Sequence, residues 1–194
     1  MRRSARRRAL VAASLFVILV AASIAAAADA GANLESGVRS LATTLRLGIS
    51  IASIGVYAPT WADCRLLAQR LVNLLEGIDG DHYVPSDEGN ELSGMIPSIA
   101  WVGERCESHG LTAETRARAL AASQNVSMYL SMALDSALAV LRTRSLESAT
   151  KHMLAVYAFL SAACETPCTQ STTSLVPAIR TIMSLLGVEA EDID

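Results

Sequence analysis

Apolar residues recur every three or four positions along most of this chain, and this spacing restricts its fold more than any other feature. Over residues 146–163 the steps continue without a break, at Leu146, Ala149, Met153, Val156, Leu160 and Ala163. Such steps place side chains on one face of a helix, whereas a half-buried strand alternates at every second residue. Residues 34–45 show the same stepping. The pattern predicts an all-α fold.

Capping and helix-stopping residues predict where the helices begin and end. Thr60, Thr112 and Ser145 are suitable N-cap residues for helices over residues 61–78, 113–142 and 146–163. Pro97 can open a short helix that ends near residue 110, and residues 175–186 have the apolar stepping of a last helix. Residues 49–56 also fit a strand, but no partner strand is visible, so we predict helix there.

Short connections between long helices favour an antiparallel four-helix bundle with additional short helices. Offsetting the sequence by 82 residues aligns residues 68–72 with residues 150–154, and each segment lies in a capped amphipathic helix. An internal duplication is therefore a further hypothesis for how this bundle arose.

The first thirty residues have the pattern of a secretory signal peptide. Five Arg within residues 2–8 precede the apolar run 9–28, and Ala28-Asp29-Ala30 supplies a small-x-small cleavage sequence. An uncleaved membrane anchor is the alternative, because twenty residues just span a bilayer core of about 30 Å. Alanine-rich runs insert weakly, so we predict a cleaved signal over residues 1–30 and one helical-bundle domain over residues 31–194.

Cleavage predicts that the mature protein begins at Gly31 and is secreted or periplasmic, because signal peptidase accepts short side chains such as those of Ala28 and Ala30. N-terminal sequencing of the exported protein checks this prediction. Recovery of the intact chain in membranes washed with high salt would show an anchored protein instead.

Charge and composition exclude one class of partner. Without residues 1–30, the chain has 11 basic and 18 acidic residues and a net charge of −7. This charge repels phosphates, and an aromatic content of 4% provides no stacking platform, so we exclude nucleic acid. Contact with a membrane is expected only if the N-terminal segment stays uncleaved. The bias of fifteen Arg to one Lys indicates a GC-rich bacterial source.

Export would expose cysteines to an oxidising compartment, where disulfides form. The chain contains Cys64, Cys106, Cys164 and Cys168. Cys64 and Cys106 lie at similar heights if the 97–109 helix runs antiparallel to residues 61–77, and Cys164 and Cys168 can close a small loop. A redox pair or a thiolate metal site is the alternative, although no second cluster supports it. Four cysteines allow three pairings, so the connectivity stays open.

An acidic excursion over residues 79–95 contains five carboxylates and no Lys or Arg. Hard cations such as calcium take oxygen ligands in flexible loops, and Gly80 and Gly89 allow the backbone to fold around an ion. We therefore predict a divalent-cation site, and the donors are Asp79, Asp81, Asp87 and Glu88. A solvated acidic loop is the alternative, since the spacing does not match an EF-hand.

Two helices carry a histidine and methionine set, namely Met128, Met132, His152 and Met153. Antiparallel packing about the turn at residues 143–145 would bring these side chains close enough to ligate copper or a b-type haem. The alternative is that the methionines fill the core. The sequence has no GxSxG, HExxH, GxGxxG or P-loop pattern, so we predict that the protein is not an enzyme.

The run over residues 67–77 reads Leu-Ala-Gln-Arg-Leu-Val-Asn-Leu-Leu-Glu-Gly. It resembles a helix end in uncharacterised secreted bacterial helical proteins, which carry Asn-x-x-Glu-Gly after two histidines spaced by three. Asn73, Glu76 and Gly77 match this pattern, whereas Leu67 and Arg70 occupy the histidine positions. The resemblance implies a secreted helical protein without implying an activity.

These features together favour a non-catalytic extracytoplasmic module that binds a protein or a small ligand, with no cofactor other than the cation. The acidic excursion and the Ser/Thr-rich link over residues 165–174 would provide its variable surface. A wide apolar face over residues 45–56 suits dimerisation or packing against the short helices. The alternatives are a metal- or haem-carrying bundle and an enzyme with an unrecognised site.

Overall fold

A computed structural model describes residues 33–85, 93–108 and 112–164. These residues form helices α1 (residues 33–56), α2 (Trp61–Glu76), α3 (Met95–Ser108), α4 (Ala113–Arg142) and α5 (Leu146–Cys164). No strand occurs in the described residues, so the all-α prediction is confirmed there, and residues 49–56 are helical. The predicted signal peptide, the 165–174 link and the last helix lie outside the described residues.

The predicted N-caps are confirmed. The hydroxyl oxygens of Thr60 and Thr112 accept the amide N–H three residues ahead at 3.2 Å, and that of Ser145 does so at 3.3 Å. Helix α3 differs from the prediction, because it begins two residues before Pro97, with the Gly94 carbonyl accepting the first helical bond from Ser98 at 3.0 Å. Proline is tolerated in a first helical turn because no intrahelical bond uses its nitrogen.

Helices α2 and α3 lie one after the other along α4. The Trp61 indole donates to the Thr143 carbonyl at 3.2 Å, which places the start of α2 at the end of α4. A Cβ on Gly103, late in α3, would lie 3.4 Å from Ser123 Oγ, in the first half of α4. The end of α2 meets the start of α3 through an isolated antiparallel bridge between Gly77 and Ser93.

This serial arrangement separates Cys64 from Cys106 and so contradicts the disulfide that antiparallel packing of the two helices would have allowed. Both are buried free thiols, and no described cysteines lie at disulfide distance. The points where α2 and α3 contact α4, Thr143 and Ser123, are 20 residues apart, or about 30 Å along a helix. A disulfide needs Cα atoms within about 7 Å. Burial instead raises the pKa of both thiols.

The cysteine pair predicted at the end of α5 extends past the described residues. Cys164 is the last residue of α5, and Cys168 lies outside the described part of the chain. The structure therefore gives no account of a loop closed between them, and that pairing stays a prediction.

Helix α1 packs across the junction of α2 and α3 and runs antiparallel to α5. A Cβ on Gly48 would lie 3.3 Å from Leu160 and 3.4 Å from Met95, whereas a Cβ on Gly55 would lie 2.8 Å from Met153. The predicted α5 stripe is confirmed as core, because Met153, Val156 and Leu160 are fully buried. Within the described residues, none of the helices combines the length and apolarity needed to cross a bilayer.

Candidate functional site

The acidic excursion begins with a loop that is hydrogen-bonded back onto α2. We call residues 78–85 the anchored loop. Gln69, Asn73 and Glu76 hold it, and their spacing of four and three residues places them on one face of α2. The opposite face contains the buried Leu71 and Leu75. One helix therefore contributes both to the core and to the support of the loop.

The Asn73 side chain binds the loop at two atoms of one residue. Its Nδ2 donates to the Val84 carbonyl at 2.7 Å, and its Oδ1 accepts from the Val84 N–H at 3.1 Å. Gln69 Nε2 donates both to this Oδ1 at 3.1 Å and to the His82 carbonyl at 2.9 Å. Because the two amides bind backbone groups, they fix the course of the loop irrespective of its side chains.

Glu76 forms the third attachment and is the acidic residue of the Asn-x-x-Glu-Gly sequence. One carboxylate oxygen accepts the His82 amide N–H at 2.8 Å, and the other lies 2.8 Å from His82 Nδ1. The Glu76 side chain is only 10% exposed. A carboxylate can orient an imidazole for proton transfer. Here both oxygens contact the same residue, so the contacts act first to hold His82 in place.

Two glycines allow the chain to turn away from α2 and return to it. Gly77 ends α2 with a φ of 79°, a left-handed conformation that glycine adopts readily. Gly94, just before α3, packs so closely on the end of α2 that a Cβ would overlap the Glu76 carbonyl group. These glycines set the two ends of the excursion side by side.

The anchored loop presents apolar and acidic side chains to solvent together. Ile78 is 47% exposed and Val84 is 50% exposed, although the neighbouring backbone is held in place. Asp79 and Asp81 are exposed between them. A partner that covered these two apolar side chains would bury apolar surface without first having to order the backbone beneath it. This surface is therefore suited to contact with another molecule.

The predicted cation site is only partly within the described residues. Asp79 and Asp81 belong to the anchored loop, whereas Asp87 and Glu88 lie outside the described residues. The described side chains contain no group of three His, Cys, Asp or Glu residues arranged to hold a metal. Glu76, the nearest further carboxylate in the sequence, is bound to His82.

If a calcium-like ion binds the excursion, millimolar calcium will raise the unfolding temperature relative to chelator. Binding to the folded state alone adds about 2.7 kcal/mol at a hundredfold excess over the dissociation constant. Thermal unfolding of the wild type and of the Asp79→Asn/Asp81→Asn variant measures this effect. Equal wild-type midpoints with calcium and with chelator would leave a solvated loop.

The structure divides the histidine and methionine set between the core and the surface. Met153 is buried against Gly55 in the core, whereas Met128 and Met132 are exposed on α4. His152 is half-buried. It directly precedes Met153 in the sequence, but adjacent residues of a helix are about 100° apart around its axis, so the two side chains start from different faces of α5. Met153 therefore packs in the hydrophobic core, as the alternative interpretation of the sequence predicted.

Replacing Asn73 by Ala is expected to release the anchored loop while the helices stay folded. The change removes two bonds to Val84, each contributing about 0.5–1.5 kcal/mol. Hydrogen exchange should become faster at residues 82–84 and stay unchanged in α4. Gln124→Ala, at an exposed amide on α4, is the control. Unchanged exchange at Val84 in the Asn73 variant would contradict the anchoring role.

The sequence contains an indication of this site that the apolar periodicity of α2 does not reveal, namely its polar residues. Gln69, Asn73 and Glu76 interrupt an apolar helix on one face, and the resemblance drew attention to Asn73, Glu76 and Gly77. The contact with His82 spans a loop and could not be predicted from residue spacing.

Comparisons with protein-family models, with curated proteins and with solved structures give no match.

Proposed function

We propose that this protein is a non-catalytic, extracytoplasmic interaction module whose binding surface is the anchored loop. The observation that carries this proposal is the exposure of Ile78 and Val84 on a backbone fixed by Asn73 and Glu76. A loop that is ordered before binding loses less conformational entropy when a partner arrives. Residues 1–30, as a cleaved signal peptide, would deliver the module outside the cytoplasm.

The chemistry of the loop favours a protein partner with a basic rim around an apolar pocket. Ile78 and Val84 would enter the pocket, and Asp79 and Asp81 would contact Lys or Arg at the rim. No Lys or Arg lies between Arg70 and Arg105 in the sequence, so this segment contains no basic side chain of its own to neutralise these carboxylates.

The finer architecture supports this role. We propose an antiparallel four-helix bundle in which α2 and α3, one after the other, occupy the position of a single helix, beside α1, α4 and α5. The indole bond at Thr143 and the Gly103 contact with Ser123 support this arrangement. Because two helices occupy this position, it is interrupted between α2 and α3, and the acidic excursion leaves the bundle at that interruption. The internal duplication stays a hypothesis on the origin of the bundle.

Site-specific photo-crosslinking in the producing cell tests the proposed surface. A photoreactive residue is placed at Ile78, at Val84 or, as a matched control, at Met128 on α4, which is also 47% exposed. We expect the same adduct from both loop positions, no adduct from position 128, and a weaker adduct when Asn73→Ala releases the loop. Equal labelling from all three positions, or none from the loop, would overturn the proposal.

A further inference from the structure

Helix α1 has apolar side chains on two faces, of which one is fully buried and the other carries two exposed side chains. Leu45 and Ala52 are fully buried on the inner face. Leu47, Ile51 and Ile54 step by four and three residues along another face, which we call the outer stripe, and its middle residue Ile51 is partly buried against the core. Leu47 is 46% exposed and Ile54 is 60% exposed among the described residues. Apolar stepping of this kind marks a face that packs against a further element.

The path of the chain brings a further element to this stripe. A Cβ on Gly48 would lie 3.3 Å from Leu160, so the last turn of α5 lies at the height of Leu47 along the axis of α1. Helix α5 ends at Cys164, four residues or about 6 Å further on. The chain therefore leaves the described part close to one end of the outer stripe. The ten residues 165–174 can span up to about 33 Å.

The sequence that follows has a matching apolar face. Leu175, Ile179, Ile182 and Leu186 step by four, three and four. Residues 175–187 as a helix would be about 20 Å long, whereas the outer stripe spans eight residues, or about 12 Å. A helix this short is marginal in water on its own and needs a surface on which to bury its apolar face.

We propose that residues 175–187 form a helix that docks on the outer stripe of α1 and covers Leu47, Ile51 and Ile54. A second copy of the chain fits the stripe less well, because a stable dimer buries about 800 Å² per partner and a stripe of three side chains is too short for that. This inference does not depend on the proposed function, since the anchored loop is held by α2 whereas the outer stripe belongs to α1.

Hydroxyl-radical footprinting of the wild-type protein tests the docking directly. Exposed Leu66 on α2 is the internal reference. If the helix docks, Leu47 and Ile54 will be oxidised at least about fivefold more slowly than Leu66, and Ile179→Ser/Ile182→Ser will abolish this difference. Oxidation of Leu47 and Ile54 at the rate of Leu66 in the wild type would overturn the proposal.

Hydrogen exchange from the other side of the contact gives a second test. Peptides covering residues 175–187 should be protected in the wild type, should exchange at least about tenfold faster in Leu47→Ser/Ile54→Ser, and should be unaffected by Leu66→Ser. Protection that survives the α1 substitutions would overturn the proposal. So would a dimer, detected by light scattering, that the α1 substitutions dissociate, because the occupant would then be a second copy.

Discussion

Replacing Leu160 by Ala is expected to lower the free energy of unfolding by about 2–5 kcal/mol. Leu160 is fully buried in α5, and its side chain packs against α1 at Gly48. The substitution removes buried methyl groups and leaves a cavity between two helices that cannot close without moving one of them. Urea unfolding followed by circular dichroism measures the loss.

Leu154→Ala on the same helix is the matched control, because Leu154 is exposed. Its removal should change the unfolding free energy by less than about 0.5 kcal/mol. If the two variants lost equal stability, the orientation of α5 would be wrong. A small effect at Leu160 alone would show that the contact between α1 and α5 contributes little.

Replacing Gly94 by Ala is expected to cost about 3 kcal/mol, since the new Cβ would overlap the backbone at Glu76. A flexible side chain could rotate away from such an overlap, but the carbonyl group of Glu76 is held by the end of α2. The start of α3 would have to move, and the bridge between Gly77 and Ser93 would break. Thermal and urea unfolding measure the cost.

Gly103→Ala is the control on α3, where a Cβ would meet Ser123 Oγ at an ordinary 3.4 Å. Helix propensity favours Ala over Gly by up to about 1 kcal/mol, so this variant should be neutral or stabilised. Gly94→Ala should also speed hydrogen exchange in the anchored loop, whereas Leu160→Ala should affect the whole bundle. Normal stability of Gly94→Ala would show that the excursion ends are not tightly packed.

The two substitutions separate the scaffold from the candidate site. Leu160 lies in the core, far in sequence from the anchored loop, and its loss acts through helix packing. Gly94 lies where the scaffold and the loop meet, so its substitution should also alter crosslinking from Val84. A surface that needs Gly94 but tolerates moderate core destabilisation would be a preorganised binding surface of the kind proposed.

The sequence by itself determined the elements that depend on near neighbours. Helical stepping of apolar residues predicted α1 and α5, and Thr60, Thr112 and Ser145 correctly marked the starts of α2, α4 and α5. These features are predictable because a helical face and an N-cap are decided within one or two turns. The start of α3 was misplaced by two residues because Pro97 fits several positions of a first turn.

Only the tertiary structure decided how the elements are arranged, because that depends on which buried face meets which partner. Side-by-side packing of α2 and α3 would have paired Cys64 with Cys106, and their serial packing along α4 separates them instead. In the same way, Asn73 and Glu76 are equally acceptable as solvated residues of a helix until the chain returns to them. Contacts between segments distant in sequence leave no periodic pattern in the sequence. The hydrogen bonds that hold the anchored loop on α2 could therefore be identified only from the folded structure.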